Sequence, residues 1–271
     1  MRDFRDAKAM AKTLREALSA KSVAMTTSES QELIARILGF RDWNVLAARI
    51  QSTEMAAAQA ITPISAGART PLVPMRDMVL FPHMISRIFV AREKTRRAVE
   101  HALAGDRRVM VVAQRSGTDD SPSTADALYS VGVLANLVDR QTQVDGALKV
   151  TVCGLQRTGI IRFTDGEFLT AEVKVIEEQG RQSKEAAALS SAALDAYQTY
   201  AEIDFSALPP GSKARFSLPS VGDASQLADT VAALLSAGIE QKQQLLDTRD
   251  VVARLKRLIE MMGAGRPKAV A

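Results

Sequence analysis

The sequence predicts an α+β protein, because the spacing of its apolar residues changes twice along the chain. Residues 1–50 place apolar side chains at the spacing of amphipathic helices, and residues 70–180 contain short runs typical of strands. Helical spacing returns over residues 181–262. We therefore expect a separate helical module, then a β domain, then a helical bundle.

Residues 1–50 are predicted to form three helices. The first carries its apolar stripe over residues 7–18. The second begins at residues 28–31, Ser-Glu-Ser-Gln, which match a capping box, and it ends at Gly39. Asp42 caps the third helix, where the only tryptophan, Trp43, is expected to pack in a small core.

The β domain begins with an apolar run that contains Pro74 and Pro82. Because each proline lacks an amide donor, we expect an extended arm that cannot lie in the middle of a sheet. A strand with Ile88 and Phe89 follows, and then a helix that ends at Gly105. Further strands are predicted at residues 108–113, 129–138, 148–152, 158–163 and 167–176.

The bundle is predicted to contain four helices, one of which is capped by Asp223. Three stretches are predicted to be irregular. Residues 51–69, rich in small residues, form a linker, residues 205–219 form a loop, and residues 263–271 form a flexible tail.

The segments PLVPMRDMVLFPHM, FVAREKTRRAVEHAL and VMVVAQRS occur in this order within residues 70–116. In order and spacing they resemble the start of the amino-terminal substrate-binding domain of Lon proteases, and the resemblance continues to residue 262. It implies a small PUA-like β-barrel over residues 70–180, followed by the helical bundle. In that family the domain captures unfolded or degron-bearing polypeptides.

Residues 1–50 resemble the helical module at the N-terminus of proteins labelled glyoxalase-related. Glyoxalase chemistry needs a metal held by His and Glu side chains, and no histidine precedes His83. We therefore interpret this segment as an interaction module.

Composition excludes several classes of protein. The single cysteine, Cys153, cannot form an intrachain disulfide and is expected to be a small core residue. No apolar run approaches the roughly 18 residues of a membrane span. The charged N-terminus has no secretory signal, so we expect a cytoplasmic protein without membrane association.

The net charge of +4 does not indicate a nucleic-acid-binding face. Residues 70–180 contain fourteen basic and fourteen acidic residues, whereas residues 1–50 carry +3 and residues 251–271 carry +4. Nucleic-acid binding is therefore not expected of the β domain.

Enzyme motifs are also missing. The sequence has no phosphate-binding loop of the GxxxxGK[ST] type and no GxSxG nucleophile motif. Its two histidines, His83 and His101, are not accompanied by ligands at metal-binding spacing. We therefore predict no catalytic residues, no metal and no cofactor.

A recognition surface remains. Flexible thioethers and aromatic rings suit varied apolar contacts, so five residues are candidates to line a groove between barrel and helices. They are Met75, Met78, Phe81, Met84 and Phe89. Each also suits a buried core position, and the sequence leaves that choice open.

The resemblance implies a non-enzymatic, polypeptide-binding protein that has the Lon-type recognition domain without motor or protease. It would present clients to Lon protease, modulate that enzyme, or hold clients alone. The final helix is a candidate for self-association. The alternative is a PUA-like module that binds a small ligand or RNA.

Overall fold

The structure is a computed structural model with two compact units, Met1–Ile61 and Thr62–Ala271. Its described residues contain seven helices and six strands. Those residues are 7–19, 25–37, 41–44, 46–47, 69–117, 122, 124–142, 148–204 and 223–264.

In the first unit, helix α1 spans Ala7–Ser19 and helix α2 spans Thr27–Ile37. The predicted capping box at residues 28–31 is wrong by two residues. The Thr26 amide donates to the Glu29 carboxylate at 2.8 Å, and the Glu29 amide donates to the Thr26 hydroxyl at 3.2 Å. Both pairs obey the same i, i+3 spacing, and the box forms at the residue that precedes the first helical turn.

Trp43 packs against the small core of this unit, as predicted. Its backbone amide donates to the carboxylate of Glu32 on α2, at 3.2 Å and 3.3 Å to the two oxygens. Of the predicted third helix, residues 43–44 and 46–47 are described and are helical, whereas Gly39 lies outside the described residues. The buried members of the core are Ala11, Ile34, Ala35 and Leu46.

The second unit contains the predicted α+β arrangement of strands followed by helices. Its strands are β1 (Arg69–Met75), β2 (Ile85–Val90), β3 (Arg108–Ala113), β4 (Val131–Thr142), β5 (Leu148–Asp165) and β6 (Leu169–Val175). Its helices are α3 (Glu93–Ala104), α4 (Lys184–Asp204), α5 (Ala224–Leu234), α6 (Ile239–Asp247) and α7 (Val251–Ala264).

Five strands pair in a closed ring. β1 pairs in parallel with β3 and antiparallel with β6, and the ring continues through β4 and β5 back to β6. β2 lies outside this ring and pairs with residues 148–153 of β5. Closure removes exposed strand edges, but β2 has no second partner among the described strands.

β1 contradicts the prediction of an arm that cannot lie in mid-sheet, since it lies between β3 and β6. The Gln114 amide donates to the Met75 carbonyl at 2.7 Å, so Met75 directs its backbone groups towards β3. Alternation along the strand directs those of Pro74 to the opposite side. There the pairing with β6 covers only residues 69–71. Pro74 therefore lies beyond the ladder that would have needed its missing donor.

β5 is one strand of 18 residues, whereas the sequence predicted two shorter strands in this region. Residues 152–155 and 157–159 are all buried, so exposed and buried residues do not alternate here. A strand prediction that depends on this alternation therefore misses the middle of β5. Both faces are covered here because the helices pack on the outside of the barrel. The Arg157 Nε on β5, for example, donates to the Leu246 carbonyl of α6 at 3.1 Å.

The barrel and the helices share one hydrophobic cluster, which includes Val150 of β5, Leu245 of α6 and Leu255 of α7. The predicted cap of α5 is confirmed, because the Asp223 carboxylate accepts from the amides of the second and third residues after it. The predicted loop at 205–219 lies outside the described residues.

Buried ion pairs also join β5 to the helices. Arg157 forms a two-pronged contact with Asp229 of α5 and donates to Glu178 at 2.7 Å. Arg254 of α7 donates to the same Glu178 oxygen at 2.7 Å and to the Ser225 hydroxyl at 2.8 Å. Arg157, Asp229 and Arg254 are at most 3% exposed. Two cations and two carboxylates thus neutralise one another where water is excluded.

Glu178 is the least buried acid of this cluster. Burial by itself would raise the pKa of its carboxyl group, but Arg254, the hydrogen bond from Ser225 and Arg157 outweigh that effect. The pKa of Glu178 is therefore lowered below its ordinary value, and the carboxylate stays ionised at neutral pH.

Candidate polypeptide-binding site

A cleft of about 360 Å³ lies between the end of β1 and strand β2, beside the start of α3. The side of β1 that carries Pro74 borders it, since β6 has already separated from β1 at that point. Its floor is apolar and its rim is charged. The lining residues are Val73, Pro74, Met75, Arg76, Asp77, Ile88, Phe89, Val90, Ala91, Arg92 and Thr95.

Met75 and Phe89, two of the five predicted contact residues, line this cleft. Phe89 is 68% exposed, more than any other large apolar side chain of the described residues. Met75 is half-buried and packs on the hydrophobic core with its inner side. The structure thus brings one exposed aromatic ring and one thioether to the same opening.

The other three predicted residues lie close to β2 but outside the lining. Met78 and Met84 are half-buried against the core, and the sulfur of Met78 accepts from the Ser86 hydroxyl of β2 at 3.8 Å. Phe81 is completely buried. It packs in the hydrophobic core and does not present its ring at the surface of this structure.

Arg92 fixes the shape of the cleft. Its guanidinium donates to the Pro74 carbonyl at 3.2 Å and to the Gln114 side chain at 2.8 Å, so it ties the start of α3 to β1 and β3. Sequence reasoning assigned Arg92 only to the start of a helix. A contact between residues 18 and 22 positions apart leaves no local pattern that could have revealed it.

The cleft lies on the barrel side of the molecule. The prediction had placed a binding groove between barrel and helices, but the lining of this cleft includes no residue of α4–α7. The buried ion pairs around Arg157 occupy that junction instead.

Phe89 has a cationic neighbour. The Lys149 ammonium of β5 lies over its ring, 5.4 Å from the centroid. This distance permits a cation–π contact, which is weak at an exposed site. The patch therefore combines apolar surface with positive charge.

His83 and Cys153, two titratable side chains outside the cleft, have shifted pKa values. Within the described ranges, no three His, Cys, Asp or Glu side chains are grouped to hold a metal ion. Burial lowers the pKa of His83 and raises the pKa of Cys153, so each favours its neutral form. His101 stacks on Phe168 with ring centroids 4.9 Å apart.

Comparison with known families assigns the second unit. Residues 69–264 match the family model of the ATP-dependent protease La (LON) substrate-binding domain. The chain belongs to the Lon substrate-binding domain family. Residues 1–69 match a second model, described as glyoxalase superfamily protein. Both resemblances inferred from the sequence are thereby confirmed.

Relatives include the Lon proteases of Azospirillum brasilense and Escherichia coli K12. The first is 37% identical over 77% of this chain, and the second is 36% identical over 71%. This chain spans about a quarter of each relative, 25% and 24% respectively. The match therefore concerns the substrate-binding domain of these proteases.

Two solved Lon domains share the fold. The N-terminal domain of the Mycobacterium avium complex Lon protease aligns with a TM-score of 0.54 at 22% identity, over 73% of this chain and all of that one. A Lon N-terminal domain protein from Xanthomonas campestris aligns with a TM-score of 0.50 at 18% identity, over 74% and 99%. None of the helices in the described ranges is both long and apolar enough to cross a membrane.

Proposed function

We propose that this chain is a non-enzymatic polypeptide-binding protein, which recognises unfolded or degron-bearing segments through its Lon-type domain. The observation that carries the proposal is the exposed Phe89 ring at the cleft of a Lon substrate-binding domain. An exposed aromatic side chain gains free energy when a partner covers it. The Met75 thioether in the same lining can adapt to partners of different shape.

We infer further that the protein acts in the cytoplasm as an adaptor or modulator of Lon-dependent proteolysis. In the Lon relative from Azospirillum brasilense, the matched domain makes up 25% of the chain. A protein that binds the same clients through a similar domain can deliver them to Lon or withhold them from it. Both outcomes require only that client binding is reversible.

The N-terminal module supports a docking role. Helix α2 exposes Leu33 and Ile37 at 39% and 64%, and these residues are four positions apart and so share one face. Its core is small, with four buried apolar residues among those described. We infer that this module binds a partner protein through α2.

A binding measurement with matched variants tests the role of the cleft. Reduced, carboxymethylated α-lactalbumin serves as a permanently unfolded client, and fluorescence anisotropy reports its binding to the full chain. We expect Phe89→Ser to weaken binding about tenfold, as the loss of one buried Phe contact implies. Ile161→Ser removes an apolar side chain that is 58% exposed on β5 outside the cleft, and should change affinity less than about twofold. Equal effects of the two substitutions would refute a specific role of Phe89.

A further inference from the structure

The outer edge of β2 has backbone groups that no described strand uses. The Gly154 amide donates to the Met84 carbonyl at 2.9 Å, so the Met84 carbonyl is directed towards β5, although the Met84 amide itself donates to the Phe81 carbonyl. Alternation then directs the backbone groups of residues 86, 88 and 90 towards β5. Arg87 and Phe89 consequently direct their N–H and C=O groups away from β5.

The Phe89 end of this edge lies at the cleft, whereas Arg87 lies outside the lining of the cleft. Phe89 and Met75 line the same opening, so the edge of β2 lies across the cleft from β1. The facing side of β1 offers little for pairing, since Pro74 has no amide hydrogen and its carbonyl already accepts from Arg92. A polypeptide segment in the cleft would therefore find its main-chain partners on β2.

Positive charge surrounds this edge. Arg87 is exposed on β2, and Lys149 lies beside the Phe89 ring. Arg76 and Arg92 line the cleft together with one acid, Asp77. The nearest acid on β4, Asp139, is separated from Arg87 by β5, because both residues pair with Thr151. Among the described residues, two cations and one carboxylate line the cleft, and Arg87 and Lys149 add two cations beside it, while the nearby Glu93 is paired with Arg96 and Arg97.

We propose that the free edge of β2 takes an extended, acidic polypeptide segment as an added β-strand. This inference rests on the proposed function and specifies how the cleft selects clients. Main-chain hydrogen bonds from Arg87 and Phe89 supply sequence-independent affinity, as in other cases of strand addition. The Phe89 ring covers an apolar side chain of the segment, and Arg87 and Lys149 favour acidic ones.

The first test uses a fluorescein-labelled octapeptide that alternates glutamate and valine, with the full chain. A strand added to β2 bonds through every second amide only. We therefore compare a peptide N-methylated at two glutamate residues with a peptide N-methylated at two valine residues. One of the two should bind at least about fivefold more weakly than the unmethylated peptide, and the other should keep its affinity. Equal affinities of the two methylated peptides would overturn strand addition.

The second test addresses charge. The peptide that alternates lysine and valine should bind at least about tenfold more weakly than the acidic one. Arg87→Gln combined with Lys149→Gln should remove most of that difference. A lysine peptide that binds as tightly as the acidic one would overturn the selection for acidic segments.

The third test compares two substitutions at one position. Arg87→Pro removes the amide donor and the charge, whereas Arg87→Gln removes the charge alone. We expect Arg87→Pro to lose about fivefold more affinity for the acidic peptide. Circular dichroism shows whether the proline variant is folded, and the methylated peptides decide the question if it is not.

Binding of denatured α-lactalbumin separates the two proposals. If this client binds but the methylated peptides behave alike, strand addition is wrong and the proposed function stands. If neither the client nor the acidic peptide binds, the proposed function is wrong as well.

Discussion

The two halves of β5 lie against different neighbours. Its N-terminal half pairs with β2, whose outer edge carries the exposed Phe89 and backbone groups without a strand partner among the described residues. Its C-terminal half carries Arg157, which is 3% exposed and bonded to Asp229 and Glu178. The backbone groups of β2 beside the N-terminal half of β5 are thus open to water, whereas Arg157 in the C-terminal half is buried and paired with carboxylates.

This difference separates the residues for recognition, on β2 and the start of β5, from the residues for stability, further along β5. An unpaired charge at the buried end costs several kcal/mol, whereas a changed side chain at the exposed end costs a few tenths. Substitutions along β5 and its neighbours should therefore fall into two classes. Those near Arg157 affect folding, and those near Phe89 affect binding.

The largest effect is expected from Arg157→Ala. It leaves Asp229 buried without its main partner, and we expect the free energy of unfolding to fall by about 3–5 kcal/mol in urea denaturation. Arg157→Met combined with Asp229→Leu removes both charges and should recover most of this loss. A single variant as stable as the wild type would contradict the assigned role of the pair.

A smaller effect is expected where β5 passes Phe81. A Cβ atom at Gly154 would lie 2.2 Å from the Phe81 carbonyl oxygen, so Gly154→Ala must displace backbone. We expect a loss of about 1–3 kcal/mol in the same assay. Gly159→Ala on the same strand is the control, because the nearest atoms to its Cβ would be side-chain atoms at 3.6 Å or more. Equal stabilities of the two variants would show that β5 and the loop that carries Phe81 can move apart here.

The buried ion pairs around Arg157 also predict a dependence of stability on pH. Because the folded pKa of Glu178 is lowered from 4.5, its ionised form stabilises the fold above about pH 4.5. This contribution is lost as the pH falls through the lower, folded value. Urea unfolding between pH 3 and pH 7 should show a shallower decrease for Glu178→Gln than for the wild type. Glu177→Gln, at an exposed neighbouring carboxylate, serves as the control for the loss of one negative charge.

The smallest effect on stability is expected at the exposed end. Phe89→Ser should change the free energy of unfolding by less than about 0.5 kcal/mol, since its ring is 68% exposed. Thermal unfolding followed by circular dichroism measures this change directly. A loss above about 2 kcal/mol would mean that Phe89 belongs to the core and would weaken its assignment to binding.

Local patterns predicted much of this fold. The Asp223 cap, the helix that ends at Gly105 and the buried strand at residues 108–113 depend on neighbours in sequence, and all three are confirmed. The position of β1 was missed because a proline excludes a central strand only if its missing donor faces a partner. This condition is not met at Pro74, because β6 pairs with β1 only at residues 69–71.

The candidate site was predictable only in part. Met75 and Phe89 were identified from residue type, but type alone could not show that Phe81 is buried and Phe89 exposed. The contact of Arg92 with Gln114 and that of Arg157 with Asp229 join residues 22 and 72 positions apart. Such pairs depend on the completed fold and have no local sequence signal.

The matched charges between β5 and the helices also constrain how this protein can change over generations. Replacing any one of Arg157, Asp229, Glu178 or Arg254 leaves the charges of its partners buried and unpaired. An entirely apolar junction, by contrast, would be stable. A lineage that moves from one solution to the other by single steps must pass through unstable intermediates. The four side chains are therefore expected to be inherited together or replaced together, while Phe89 and Lys149 remain free to vary one at a time as clients change.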